Sequence, residues 1–273
     1  MIFRSISLAL ITVLLFTADL NAQVGSLEVI GGEGYNESTI TAQLLLTTDL
    51  PTHGFSFGIS HDPAIVSVNS STEIQLGLVM QALNDNSGPA FLDVNVEPTG
   101  GSGITVACIT DYFTPFDLLP AMTSEPLILI DYTINQNAPV GSVSPLTLTS
   151  TLGNPPVATV LVLELTEVVP TLSAGSILVT EPHFIRGDLN QNGSLSLLDG
   201  VLLLYRVSGI EPPGSCLDAD DINDDGILTI GDAVFLFQYM FAGGTPIPGS
   251  DGTCGPDLTP ADSLDCVHFQ FCE

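Results

Sequence analysis

Between residues 24 and 181 apolar and polar positions alternate in short runs. They include "TITAQLLLTT" (39–48), "FSFGIS" (55–60), "IVSVNS" (65–70), "FLDVNVEP" (91–98), "GITVACIT" (103–110), "LILIDYTI" (127–134), "PLTLTS" (145–150), "ATVLVLELTEV" (158–168) and "GSILVTE" (175–181). A period of two with Val, Ile, Leu, Thr and Phe dominant predicts half-buried strands. Turn-forming segments punctuate them: "GGEGYN", "NDNSGP", "PTGGSG", "NQNAPVG" and "LGNPP". About nine strands at this spacing predict a two-sheet β-sandwich. "ATVLVLELTEV" is apolar on both faces and reads as a central strand. No stretch in this half has helical periodicity.

The pattern changes at residues 183–247. Two apolar runs, "LLDGVLLLYRVSG" (197–209) and "GDAVFLFQYMFAGG" (231–244), begin beside an aspartate and end at glycine, as helices of about three turns do. Both are apolar nearly all the way round, whereas a helix at the edge of a small domain carries one apolar stripe. The surplus must be covered by the other helix, by the sandwich or by a partner protein. The final segment, 248–273, is rich in proline, glycine and cysteine and reads as an irregular tail fastened by disulfides.

Each helical run follows a twelve-residue acidic stretch, "DLNQNGSLSLLD" (188–199) or "DINDDGILTIGD" (221–232). Oxygen-bearing side chains fall at positions 1, 3, 5 and 12, with glycine at 6. A calcium ion takes six to eight hard oxygens at about 2.3–2.6 Å, and one tight loop can supply most of them, position 7 through its carbonyl. Glycine at position 6 allows the sharp turn at positive φ. The first loop therefore assigns Asp188, Asn190, Asn192, the Ser194 carbonyl and Asp199, with Ser196 holding a water. The second assigns Asp221, Asn223, Asp225, the Ile227 carbonyl and Asp232, with Thr229 holding a water. Two calcium ions are expected. The second loop, with three ligand carboxylates against two, is expected to bind more tightly.

Charge sharpens this picture. The 273 residues include 31 Asp and Glu, three Arg and no Lys, for a formal net charge of −28. Such a surface repels nucleic acid and anionic membranes and attracts divalent cations. The N-terminus, "MIFRSISLALITVLLFTADLNAQ", has Arg4 before an apolar run and reads as a secretory signal peptide over 1–22, cut after Ala22. No later segment is apolar for the roughly 18 residues of a membrane span, so the exported chain is expected to be secreted and soluble. Five cysteines remain. Cys216, Cys254, Cys266 and Cys272 allow three connectivities, of which Cys216–Cys254 with Cys266–Cys272 is favoured. Cys108 reads as a buried free thiol on the face of Ile104 and Val106.

The duplicated loop-and-helix resembles the type I dockerin repeat, which lacks the entering helix of a full EF-hand; "TEPHFIRGD", before the first loop, carries proline and no helical pattern. That resemblance implies an attachment module for cohesin domains in extracellular assemblies, many of them built for polysaccharide breakdown. Loop positions 10 and 11, often serine and threonine in such modules, are here Leu197–Leu198 and Ile230–Gly231, so the calcium sites carry over and the partner does not. "GFSFGISHDPAIVSVNS" (54–70) is similar to the strand, Asp-Pro turn and strand of cohesins and carbohydrate-binding modules, and implies a nine-stranded jelly roll. The whole layout is similar to secreted proteins of Planctomycetes-like bacteria. The fold class is thus mainly β: a cohesin-like β-sandwich (24–181), then a small α-helical calcium-binding dockerin-like module (183–247).

Catalytic patterns are sparse. His53, His61, His183 and His268 are scattered, His61 reading as a cap on the Asp62–Pro63 turn, and no HExxH, GxSxG or P-loop appears. Asp93, Glu97, Asp111 and Asp117 lie near turns, where carboxylates are usually solvated. Tyr112, Phe113 and Phe116 could form a platform for sugars but read first as loop anchors on the sandwich rim. The expected function is non-catalytic docking outside the cell. The partner is a cohesin-like or other extracellular domain, or the chain's own sandwich. The alternatives are a carbohydrate-binding accessory protein tethered through its dockerin, and a glycoside hydrolase component.

Overall fold

The computed structural model describes residues 25–249, 252–258 and 263–272; the expected signal peptide lies outside them. The first half contains β1 (Ser26–Ile30), β2 (Gly32–Gly34), β3 (Thr39–Thr48), β4 (Thr52–Ser60), β5 (Val66–Ser67) and β6 (Ile74–Leu76). Two single-turn helices follow, α1 (Leu78–Gln81) and α2 (Leu83–Asn86), then β7 (Phe91–Asn95), β8 (Gly103–Ile109) and β9 (Met122–Ile134). The remaining strands are β10 (Val143–Thr149), β11 (Val160–Leu163), β12 (Thr166–Val168), β13 (Thr171–Ser173) and β14 (Gly175–Val179).

These strands form two sheets of a mainly β sandwich. One runs β13-β1-β3-β9-β5, with β6 also on β9. The other centres on β4. Along one edge β4 pairs with β8, which pairs with β7; the other edge is shared by β10 at Gly58–Ser60 and β11 at Ser56–Thr52. Alternation decides what faces inward. In β3, Ala42, Leu44, Leu46 and Thr48 are buried, while Thr41 on the outer face donates to Asp131 of β9 at 2.6 Å. Phe55, Phe57, Ile59, Leu127, Ile130 and Tyr132 fill the core between the sheets.

Two strand pairs stitch the sheets together. β1 and β2 are one run of chain that changes sheets at Gly31, and β13 and β14 change sheets beside Gly175. β1 pairs parallel with β13, and β2 parallel with β14. At the crossover a Cβ on Gly31 would lie 1.8 Å from the Ser176 carbonyl oxygen, so only glycine permits the approach.

Three features differ from the sequence expectation. "ATVLVLELTEV" is not one central strand: Glu164 and Leu165 take φ of 49° and 62° and turn the chain back, making β11 and β12 a hairpin with β12 at the sheet edge. It read as apolar on both faces because Leu165 sits exposed at the hairpin tip. The one-turn helix α1 and the segment α2, where Asn84 and Asp85 take left-handed φ of 51° and 56°, are too short for periodicity to register and bury Met80 and Leu83 in the sandwich core. The Asp62–Pro63 turn is held by Asp62 itself, which accepts Ala64 N–H at 2.9 Å, and His61 instead packs edge-on to Tyr132.

Beyond the sandwich lie α3 (Leu197–Val207), α4 (Leu217–Asp220) and α5 (Ile230–Ala242). Helices α3 and α5 pack on each other, and a Cβ on Gly200 would collide with the Phe237 ring 2.2 Å away. Leu189, Leu203, Ile222, Ala233, Leu236 and Ile247 form their core. A second core joins Phe184, Ile185 and Ala219 to Cys216, Cys266 and Phe269. The cysteine-rich tail therefore packs into the module. A cleft of about 790 Å³ separates the β2–β3 turn of the sandwich from the tail, with His183 and His268 in its walls.

Candidate metal centre

Both acidic loops fold by the same set of local hydrogen bonds. In the first, Asp188 accepts Gly193 N–H at 2.7 Å and Asn192 N–H at 3.2 Å; in the second, Asp221 accepts Gly226 N–H at 2.7 Å and Asp225 N–H at 3.2 Å. Position 3 donates its N–H back to position 12: Asn190 to Asp199 at 3.1 Å, Asn223 to Asp232 at 3.2 Å. Position 5 accepts from position 7: Asn192 from Ser194 at 2.9 Å, Asp225 from Ile227 at 3.0 Å. Glycine is required at position 6, where Gly193 and Gly226 take φ of 80° and 77°. All ten residues assigned from the sequence thus lie on two superposable turns.

The loops also repeat at their helical ends. Ser196 and Thr229 are the N-caps of α3 and α5, each forming a capping box with the position-12 aspartate. Ser196 donates N–H and hydroxyl to Asp199, both at 2.8 Å; Thr229 N–H reaches Asp232 at 2.9 Å. The hydroxyls expected to hold waters are therefore engaged with the last ligand of their loop.

Burial sets the electrostatics. Asp188, Asp199, Asp221 and Asp232 are fully buried. The hydrogen bonds described to these carboxylates come from backbone N–H groups and the two cap hydroxyls, and none from arginine. Burial, with the charge of Asp199, raises the proton affinity of Asp188; burial, with the charge of Asp232, does the same for Asp221. Pairs of buried like charges without a cationic side chain suit a divalent cation, and the donor set is hard oxygen throughout. Among the described residues no three His, Cys, Asp or Glu side chains converge tightly enough to hold an ion alone. The reason lies in the loops. The first offers two carboxylates, and in the second Asp225 is taken up by Ile227 N–H and the Asn223 amide. The amide and carbonyl oxygens are therefore needed to complete either site.

The only two arginines in the described residues both link the loops. Buried Arg186, just before loop one, donates to the carbonyls of Asp218 and Asp221 at 2.8 and 2.7 Å and pairs with Asp224 at 3.0 Å and Asp257 at 2.7 Å. Arg206 on α3 pairs with Asp220 and donates to the Leu189 carbonyl at 3.3 Å. Asp220 is buried, and its second carboxylate oxygen has no hydrogen-bond partner among the described residues. Burial, helped by the charge of Asp232 and opposed by Arg206, pushes its pKa up to about 6.

Sequence reasoning missed Arg186, Arg206 and Asp220, although two arginines and no lysine beside so much acid was a legible signal. It also missed position 4. Gln191 and Asp224 both take left-handed φ, 54° and 60°. Aspartate favours that region; glutamine gives no such cue.

A pH prediction follows. In calcium-free protein, Asp188, Asp220 and Asp221 hold protons more tightly folded than unfolded, so their contribution favours folding in acid. It is complete below the ordinary carboxylate value of 3.8 and is lost as pH rises through the raised values, about 6 for Asp220. With calcium the sign reverses, because protons compete with the ion for the same oxygens. Melting the module at about pH 5 and 7.5, with and without calcium, should give opposite slopes; parallel slopes would contradict the assignment.

The remaining candidates do not assemble a second centre. Asp111 accepts N–H from Asp117 at 3.0 Å and Phe113 at 3.1 Å, which hold its carboxyl below the usual range, and Asp117 accepts Asn84 N–H at 2.6 Å. These are turn acceptors. Among the aromatics they support, Phe116 packs edge-on to His53, but Tyr112 and Phe113 stand 52% and 77% exposed instead of anchoring the rim. Cys108 is free and buried as expected, its thiol pushed up to about 12 by burial.

The other cysteines pair as Cys216–Cys266 and Cys254–Cys272, against the expected connectivity. Segments 215–217 and 265–267 lie side by side: Leu217 N–H reaches the Asp265 carbonyl at 2.8 Å and Val267 N–H the Ser215 carbonyl at 2.9 Å. That pairing sets Cys216 opposite Cys266, leaving Cys272 for Cys254.

No family model matches the chain, and no curated protein matches it. Solved structures similar to it include the sixth cohesin of scaffoldin B from Acetivibrio cellulolyticus, in complex with Cel5 dockerin, at 16% identity and TM-score 0.45 over 57% of this chain and 98% of that one. A cohesin from Clostridium acetobutylicum is similar at 20% identity and TM-score 0.41 over 57% and 91%. A non-cellulosomal cohesin from the archaeon Archaeoglobus fulgidus is similar at 12% identity and TM-score 0.42 over 57% and 91%. None of these similarities assigns this chain a partner.

Proposed function

We propose that this chain is an exported, non-catalytic docking protein whose C-terminal module folds around two calcium ions and presents apolar helix surface to an extracellular protein domain. The observation that carries the reading is the duplication: two loops with the same ligand spacing, whose corresponding backbone N–H bonds to positions 1, 5 and 12 agree to within about 0.1 Å. In the first loop Asp188, Asn190, Asn192, the Ser194 carbonyl and Asp199 hold one ion; in the second Asp221, Asn223, Asp225, the Ile227 carbonyl and Asp232 hold the other. Calcium there neutralises buried carboxylates and fixes α3 and α5 relative to each other.

The docking part rests on what those helices leave uncovered. Their inner faces cover each other, but Leu197, Leu198, Tyr205, Ile230, Val234 and Phe241 stay exposed. Leu197, Leu198 and Ile230 stand at loop positions 10 and 11, beside the ions, so calcium would order the surface that a partner reads. Export is supported by the signal-peptide pattern and by two disulfides; no described helix is long and apolar enough to cross a membrane. The test is capture of partners from the source cell's secreted proteins with and without calcium. Capture should need calcium and be lost in Leu198→Asp and Phe241→Asp while both ions still bind. Capture that ignores both changes would contradict the reading.

A second reading has its own support. The exposed rings of Tyr112 and Phe113, on a loop braced by Asp111 and Asp117, favour stacking on sugar, which would make the sandwich a carbohydrate-binding accessory. Retention on insoluble neutral polysaccharide, lost in Phe113→Ala, would favour it.

A further inference from the structure

The C-terminal tail reaches both loops, and it does so at their fourth positions. On the first loop, Gln270 N–H donates to the Gln191 side-chain carbonyl at 2.7 Å, and the Gln191 amide donates to Ser215 Oγ at 3.1 Å. Ser215 Oγ in turn donates to the His268 carbonyl at 2.8 Å. One residue further on, the Phe271 ring lies flush on the turn glycine: a Cβ on Gly193 would sit 2.2–2.8 Å from its atoms. On the second loop Asp224 is held by Arg186, which also holds Asp257 of the tail. Cys254–Cys272 ties Phe271 in place from its C-terminal side, and Cys216–Cys266 does so from the N-terminal side.

The two loops need this support unequally. Left-handed backbone is unfavourable at a residue other than Gly, Asn or Asp. Asp224 tolerates it by residue type, while Gln191 does not. The first loop also has only two ligand carboxylates. Its ligand-ready turn is thus the one that local chemistry favours less, and it is the one the tail covers with an aromatic ring. Covering the turn on the Gly193 side also limits the ways the loop can open.

We infer that Phe271, Gln191 and the Cys254–Cys272 crosslink are positioning elements for the first loop, holding it in the form that takes a cation, and that the second loop does not depend on them. This rests on the reading of the loops as calcium sites. It makes the tail part of the first site, although no tail residue is a ligand.

The test titrates calcium chloride into the full oxidised chain, with Asp221→Ala isolating the first loop and Asp188→Ala the second. In the first background, Phe271→Ala and the pair Cys254→Ser/Cys272→Ser should each weaken binding about tenfold. In the second, both should leave it within about twofold. Phe271→Tyr should restore first-loop affinity. It should also raise tyrosine-sensitised terbium emission at least twofold over the unsubstituted chain, an increase that Asp188→Ala removes. Unchanged first-loop affinity would overturn the inference. Equal losses at both loops would overturn it too, showing a tail that serves folding in general. If the unsubstituted chain takes up no calcium, the underlying reading falls first and the inference with it.

Discussion

Stripped of calcium, the C-terminal module is expected to melt at least about 30 °C below the calcium-loaded form, while the sandwich transition stays where it is. The size follows from the site. Two pairs of fully buried carboxylates, Asp188 with Asp199 and Asp221 with Asp232, lie against backbone N–H groups and cap hydroxyls, with no arginine on them. The apolar clusters beside them are small, with Leu203, Ala233 and Leu236 at the centre of one and Phe184 and Phe269 in the other. An ion at a thousandfold excess over its dissociation constant stabilises the folded form by about 4 kcal/mol per site. In a module of this size each kcal/mol moves the midpoint by about 4–8 °C, and the charge repulsion that calcium relieves is already contained in its binding free energy. Differential scanning calorimetry with and without excess chelator reads both transitions in one experiment. A module transition that chelator does not move would remove the structural role of the ion.

Arg186→Leu is expected to destabilise the module by about 3–5 kcal/mol, the usual loss when one partner of a buried ion pair is removed. The guanidinium is 3% exposed and makes four polar contacts: the carbonyls of Asp218 and Asp221 and the carboxylates of Asp224 and Asp257. It joins α4, the second loop and the tail, and it lies 5.4 Å over the Phe184 ring. Lysine cannot reproduce that fork, so Arg186→Lys should recover less than half of the loss. Denaturant unfolding in saturating calcium measures it. A loss under about 1 kcal/mol would mean that the contacts are replaced by solvent at little cost.

Much of the architecture was legible because its signals are local. β3 occupies the run "TITAQLLLTT" from end to end, and its alternation matches the burial of Ala42, Leu44 and Leu46. Helix α5 stops at Gly243 as expected and α3 stops at Ser208, one residue before Gly209, while Ser196 and Thr229, read from the sequence as water holders, are their N-caps. Loop spacing placed all ten candidate ligands on matching turns. What escaped depends on contacts between distant segments. β1, β2 and β13 are short, and their pairing is set by the crossovers at Gly31 and Gly175, which no periodicity announces. The β11–β12 hairpin turns on Glu164 and Leu165, which lack the Asn-Gly cue of such turns. Cysteine connectivity depended on segment 265–267 lying beside Ser215–Leu217, and the fourth loop positions depended on the tail and Arg186. Phe113 was expected to anchor a loop because large aromatics usually bury; backbone N–H bonds to Asp111 brace this loop instead and leave the ring outside.

The effect of chelator, and the tail's action on the first loop, presuppose that each loop takes one calcium ion. Arg186 does not alter the ligand count, since Asp224 is not a ligand position, so the second loop keeps three carboxylates to the first loop's two. Calorimetric titration of the full chain with calcium tests this most directly. Two ions per chain are predicted, with Asp221→Ala and Asp188→Ala each removing one and Asp221→Ala costing the greater share of the binding free energy. A chain that takes up no calcium, or whose uptake neither substitution changes, would contradict the account.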